Sequence, residues 1–124
     1  MIRKIVRATA ALTAVFQVLV GLLSVVSPET AALAFKVSVS APAMLALIRM
    51  FGGLFATTGV ISGFIAENPD RDRSLVRAFA GCLLLNVGAD IVVIAAGELR
   101  FDQLAVGMLL EFLLAVLLFL YRPS

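Results

Sequence analysis

Arg49, Asp90 and Glu111 are ionisable residues set inside stretches of otherwise apolar sequence. Each stands seven residues from one end of its stretch: Arg49 after Pro42, Asp90 before Gly97 and Glu111 after Leu104. If those three ends share one side of a membrane, a rise of about 1.5 Å per residue puts all three groups roughly 10 Å below it. A charge in hydrocarbon costs at least about 2.5–3.5 kcal/mol on insertion scales, so it is retained where something neutralises or uses it. One guanidinium against two carboxylates leaves a negative charge over when all three ionise. Either a carboxyl stays protonated or a cation binds, which is the chemistry of a proton or ion site. The structural alternative is an ion pair of Arg49 with one acid, the other acid reaching the interface. Asn86 lies one helical turn from Asp90 on the same face, and Gln17, a little deeper on the first stretch, is placed to close the cluster.

The elements that must position these groups follow from composition. The 124 residues are 62% hydrophobic and 15% charged, with a mean hydropathy of +1.11. Soluble domains run about 45–50% apolar and about 25% charged, so this chain belongs in a bilayer. Four apolar stretches, approximately 5–26, 42–66, 75–97 and 104–121, are each near the ~20 residues that cross hydrocarbon as a helix. The reading is a single all-α domain over 1–124, an antiparallel four-transmembrane-helix bundle with short connections. Ser27-Pro28-Glu29 can open a further short helix on the membrane surface, running towards Lys36, and an ordinary loop competes with it. Asp102 is the expected cap of the fourth span and Arg122-Pro123 its stop.

Arg3, Lys4 and Arg7 ahead of an apolar run, with Ala32-Leu33-Ala34 beyond it, imitate a secretory signal. The run exceeds the usual ~7–15-residue core of such signals, so a retained first helix is expected. Arg3, Lys4, Arg7, Arg71, Arg73, Arg77 and Arg122 fall on one side of the four spans, Lys36 and Arg100 on the other. That bias predicts cytoplasmic termini. A net charge of +2 with basic residues distributed beside the spans gives no footprint for nucleic acid.

Small residues form the second pattern: Gly52, Gly53, Ala56, Gly59 and Gly63 in the second span, and Gly81 and Gly88 in the third. They let helices approach closely, either within the bundle or against a second copy or a larger membrane complex. The Leu109, Leu110, Phe112, Leu113, Leu117, Phe119 stripe of the fourth span is expected to face lipid. Cys82 is a lone cysteine in an apolar run, expected to be buried packing. Without histidine, haem ligation by histidine, His-containing zinc sites and a Ser-His-Asp triad are excluded within the chain. No enzyme constellation, metal-ligand spacing or cofactor motif is read, and no cofactor is expected. Arg71, Arg73 and Arg77 can meet an anionic lipid or simply line a solvated loop.

From Leu45 to Leu120 the run Ile48-Arg49-Met50-Phe51-Gly52-Gly53 with Gly59, then Leu110-Glu111-Phe112-Leu113-Leu114, carries a resemblance. Val20-Gly21-Leu22 followed by Pro28 adds to it. The order of these features resembles small bacterial four-helix membrane proteins, distantly DoxX-like and largely classed as domains of unknown function. Where the resemblance implies a glycine and a basic residue near the end of the third span, this chain has Gly88-Ala89-Asp90. The resemblance implies an inner-membrane four-helix bundle and no defined activity. The functional expectation is a non-catalytic subunit or binding module of a membrane assembly, with lipid or a small solute as possible ligand. A proton- or cation-coupled carrier or channel is the alternative, and an enzyme acting on a lipid or quinone the third reading.

Overall fold

Proline and glycine set the boundaries of the helices. A computed structural model describes residues 1–70 and 73–121. Arg71 and Arg122 of the topology count, and the Arg122-Pro123 stop, lie outside the described residues. Helix α1 (Ile2–Val26) runs unbroken until Ser27, whose backbone leaves the helical region because Pro28 follows. The short helix expected there forms as α2 (Pro28–Ala34), with proline in its first turn and Glu29 on the positive end of its dipole. Ser27 does not cap it through the side chain. Its hydroxyl instead pairs with that of Thr30 at 2.7 Å. Lys36, at φ 57°, ends α2: Val37 N–H reaches Ala32 O and Lys36 N–H reaches Leu33 O.

Helix α3 (Pro42–Glu67) opens on proline and stops ahead of Pro69. Helix α4 (Arg73–Ala95) ends two residues before the expected Gly97, which takes φ 76° just past the helix. Glycine adopts that left-handed conformation without a Cβ clash. Helix α5 (Phe101–Leu120) starts earlier than the expected Leu104. Gln103 Oε1 accepts from the Arg100 N–H at 2.7 Å, so the glutamine does the capping assigned to Asp102. Asp102 lies in the first turn and pairs with Arg100 at 3.3 Å.

Among the described residues, four of the five helices are long and apolar enough to cross a membrane, and only 17–33% of each apolar window is buried within the bundle. The remaining apolar surface faces outward, as lipid-facing surface does. Leu109, Phe112, Leu113 and Phe119 of α5 lie on it, while Leu114, Ala115 and Leu118 point inward. Cys82 is exposed, contrary to the buried role expected of it. It shares an outward stripe of α4 with Leu75, Ala78 and Leu85, opposite buried Phe79, Ala80, Leu83 and Val87.

The spans are arranged α3–α1–α5–α4, with α1 at the centre. Helices α1 and α3 are at backbone contact. A Cβ added at Gly21 would stand 2.6 Å from Gly52 O and Ala56 N, and one at Gly59 would stand 2.9 Å from Val18 N. Gly52 meets Ser24 and Gly21 in the same way, and Gly63 faces Ala14 at an ordinary distance. Gly53, Gly81 and Gly88 have nothing within 4 Å of where a Cβ would stand, so they take no part in packing within the chain. The two antiparallel helices also cap each other: Arg7 Nε of α1 donates to Ala66 O at 2.7 Å, and Arg49 Nη1 of α3 donates to Val25 O at 2.8 Å. Each guanidinium satisfies a carbonyl at the negative end of its partner's dipole.

Helices α3 and α4, although consecutive spans, make almost no direct packing along their length. At the Tyr121 end the four spans still share one core, in which Val6, Ile65, Phe79, Leu83, Leu114 and Leu118 meet. Asp70 fastens that end: Arg3 Nε donates to its Oδ2 at 3.0 Å, and the Tyr121 hydroxyl donates to its Oδ1. At the α2 end the bundle is splayed.

Gly21→Val, which drives a side chain into backbone, is expected to cost about 3 kcal/mol or more, whereas Gly53→Val and Gly81→Val should leave stability within about 1 kcal/mol. Unfolding midpoints in mixed detergent micelles check this, and equal midpoints for all three would refute the seam. The Asp70 clasp also carries a pH dependence. The Tyr121 hydroxyl, then Arg3, holds the Asp70 carboxyl below its ordinary value of 3.8. Its contribution to stability is therefore present above that value and is lost as pH falls through the lowered one. Wild type should lose more thermal stability than Asp70→Asn on acidification below pH 3.8, and parallel curves would contradict it.

Candidate functional site

The splay leaves a cavity of about 380 Å³ at the α2 end, walled by all five helices. Phe16, Val20 and Ser24 of α1 form one side, with Ile48, Phe51 and Phe55 of α3 beside them. Asn86, Ala89, Asp90 and Val93 of α4 face them, and Leu104, Gly107, Met108 and Glu111 of α5 complete the wall. Ala31 and Ala32 of α2, with Phe35 just after it, cover it. That cover is tethered, because Gln103 Nε2 at the start of α5 donates to Lys36 O at 2.7 Å and to Phe35 O at 3.3 Å. One wall is aromatic: Phe51 stacks on Phe55 at 5.2 Å, and Phe55 meets the edge of Phe16 at 6.1 Å.

Glu111 is buried on this cavity, 3% exposed, and Gln17 behind it is fully buried. Gln17 Nε2 donates to Glu111 Oε1 at 3.2 Å across the α1–α5 interface. The other oxygens of the two side chains, Glu111 Oε2 and Gln17 Oε1, are buried without a partner. A buried polar atom without a partner costs about 1–3 kcal/mol, so two on one pair mark a site whose hydrogen bonding the chain leaves incomplete. Asp90, half-buried, lines the same cavity one turn from Asn86, which is more exposed.

Of the five residues expected to form one polar cluster, four meet here: Asp90, Glu111 and Asn86 on the wall, and Gln17 bonded to Glu111. Arg49 does not join them. Ile48 and Phe51 face the cavity, whereas Arg49 lies on the exposed side and its guanidinium is committed to Val25 O. Equal depth along antiparallel spans gave the expectation, but depth carries no azimuth. Successive helical positions differ by about 100° (3.6 residues per turn), enough to turn Arg49 off the cavity wall. Residues that sequence reasoning passed over are the aromatic trio Phe16, Phe51 and Phe55, and Gly21. The i, i+4 spacing of Phe51 and Phe55 is a usable signal for a shared face. Gly21 had the same small-residue signal as Gly52 and was read only for its likeness to a family.

Residues 5–122 match the family described as Domain of unknown function (DUF4345). The chain belongs to that family. No curated protein and no solved structure matches it. For a DUF4345 chain the site must therefore be read from its own geometry, which offers a hydrocarbon-lined chamber ending on an acid–amide pair.

Replacing Gln17 by leucine strands Glu111 Oε1 as well, and should destabilise the protein by about 1–3 kcal/mol. Ser62→Ala removes a hydroxyl that is buried without a partner and should be neutral or stabilising. Unfolding in mixed micelles compares the two, and an equal loss from both would deny the Gln17–Glu111 bond an energetic role.

Proposed function

We propose that this protein is a non-catalytic binding module of the membrane, which takes a small amphipathic molecule from the bilayer into the cavity beneath α2. The observation that carries the reading is a half-open apolar and aromatic cavity with a buried carboxyl on its wall, one oxygen of which is unpartnered. Ligand sites of small molecules have this make-up: volumes of about 300–1,000 Å³, largely hydrophobic walls and a few placed polar groups. The weak packing of α3 on α4 supports access from the side, through the hydrocarbon rather than from water. The bias of Lys and Arg towards one side supports cytoplasmic termini with the α2 end outside, and the resemblance to small bacterial membrane proteins supports an inner membrane. Gly81 and Gly88, open on α4, are the surface we assign to a second copy or a larger membrane complex.

A second reading is favoured by one observation, the two carboxylates Asp90 and Glu111 on a single cavity. A proton- or cation-coupled carrier would use them in turn, and flux in liposomes that Asp90→Asn and Glu111→Gln abolish would select it.

Ala89 stands on the cavity wall, so Ala89→Trp fills the chamber without opening the α1–α3 seam. Butylbenzene partitioning into proteoliposomes, corrected for protein-free liposomes of the same lipid, should show saturable binding by the native protein. The tryptophan variant should weaken it by roughly tenfold or more, about 1.4 kcal/mol. No saturable binding, or identical binding by both proteins, would remove the cavity as a ligand site.

A further inference from the structure

We propose that the ligand of this cavity is an amphipathic amine, bound as its ammonium ion between Glu111 and Asp90 with its apolar part against Phe16, Phe51 and Phe55. The inference rests on the binding-module reading and names the chemical class that the module takes.

Charge is the first ground. The ionisable side chains on the cavity wall are Asp90 and Glu111, both acids. The basic residue expected beside them, Arg49, caps α1 through Val25 O instead. Among the described residues no lysine or arginine lines the chamber. A site in a low-dielectric surround with two acids and no base is short of a cation, and an acidic ligand would add to the imbalance.

Hydrogen-bonding capacity is the second and independent ground. The atoms left without partners, Glu111 Oε2 on the cavity wall and Gln17 Oε1 behind it, are both acceptors, and Glu111 is 3% exposed. What they lack is a donor. A primary ammonium brings three donors and a charge, a hydroxyl one donor and no charge, and a carboxylate or phosphate oxygen only further acceptors. Hydrogen bonds to charged groups are about twice as strong as neutral ones, so the ammonium satisfies this site best. The walls agree with that choice. Three phenylalanines line the chamber, and aromatic rings attract cations as well as apolar tails.

A proton is the competing occupant. A neutral Glu111 carboxyl that donates from Oε2 to Gln17 Oε1 would complete the pair with no ligand, and the test separates the two. Four probes share one skeleton: phenylbutylamine, phenylbutanol, phenylbutyrate and butylbenzene. Binding to proteoliposomes at neutral pH is measured for each and corrected for partition into protein-free liposomes. The amine should bind roughly tenfold or more tightly than the alcohol, with the alcohol ahead of butylbenzene and the anion weakest. Glu111→Gln and Asp90→Asn should each shrink the amine's advantage over butylbenzene, by roughly tenfold for Glu111→Gln. Equal affinity for amine and butylbenzene would overturn the ammonium and leave the cavity reading standing. Failure of all four probes would overturn both. An amine preference that survives both substitutions would show that the acids do not hold the head group, and would also overturn the proposal.

Discussion

Close backbone contact between α1 and α3 is the constraint on which the remaining structure depends. Within a bilayer the tails surrounding a helix are as apolar as its own side chains, so burial of leucine gives little force for association. What is left is dispersion at short range and hydrogen bonding, and both require helices that approach closely. Gly21, Gly52 and Gly59 permit that approach. At each of these three positions a single carbon would meet backbone within 3 Å. The pair is then locked at both ends by an exchange of arginines, Arg7 to Ala66 O and Arg49 to Val25 O. These bonds also explain how two guanidiniums beside apolar spans are kept: each answers a carbonyl that a helix terminus leaves open.

Once α1 and α3 form a rigid pair, the cavity is a consequence of topology. Helix α5 packs on the other side of α1 and α4 packs on α5, so the first and last members of the row, α3 and α4, are held together chiefly at the end where the chain joins them. Ile65, Phe79, Leu83 and Leu114 close that end, and Asp70 ties the connecting turn to Arg3 and Tyr121. At the opposite end nothing draws α3 and α4 together, and α2, folded back by Pro28 and pinned by Gln103, covers the gap without filling it. The chamber is covered by an element that packs on both α1 and α3.

Much of this architecture could be read from residue order. Length and apolar content determine four spans, and Pro28, Pro42, Pro69 and Gly97 mark where helices stop, because proline and left-handed glycine act through local sterics. Gln17, Asp90 and Glu111 were identifiable for a similar reason: polar groups inside hydrocarbon need partners wherever the chain folds. Azimuth was not readable. Whether Arg49 faces an acid or a helix terminus, whether Gly53 faces a neighbour or lipid, and whether Cys82 is inside all depend on how the helices rotate about their axes. When every face is apolar, no hydrophobic periodicity reports that rotation. The same uniformity hid the aromatic wall, since phenylalanines facing lipid and phenylalanines facing a cavity have the same neighbours in sequence.

The acid–amide pair shows why sequence reached the residues of the site and stopped short of its chemistry. With Arg49 in the cluster, one base and two acids nearly balance, and an internal ion pair accounts for most of the charge. With Arg49 spent on Val25 O, the negative excess doubles: among the described residues the cavity holds two acids, one amide behind them and no base. Gln17 can answer only one oxygen of Glu111, and in doing so leaves its own carbonyl oxygen unsatisfied. Apolar residues at both 17 and 111 would pack without either cost, as buried polar pairs replaced together by hydrophobic groups often do. Keeping both polar residues beside an otherwise greasy chamber is therefore a stability cost with no return in packing. The amine we propose would supply the return by donating to the unpartnered oxygen of Glu111.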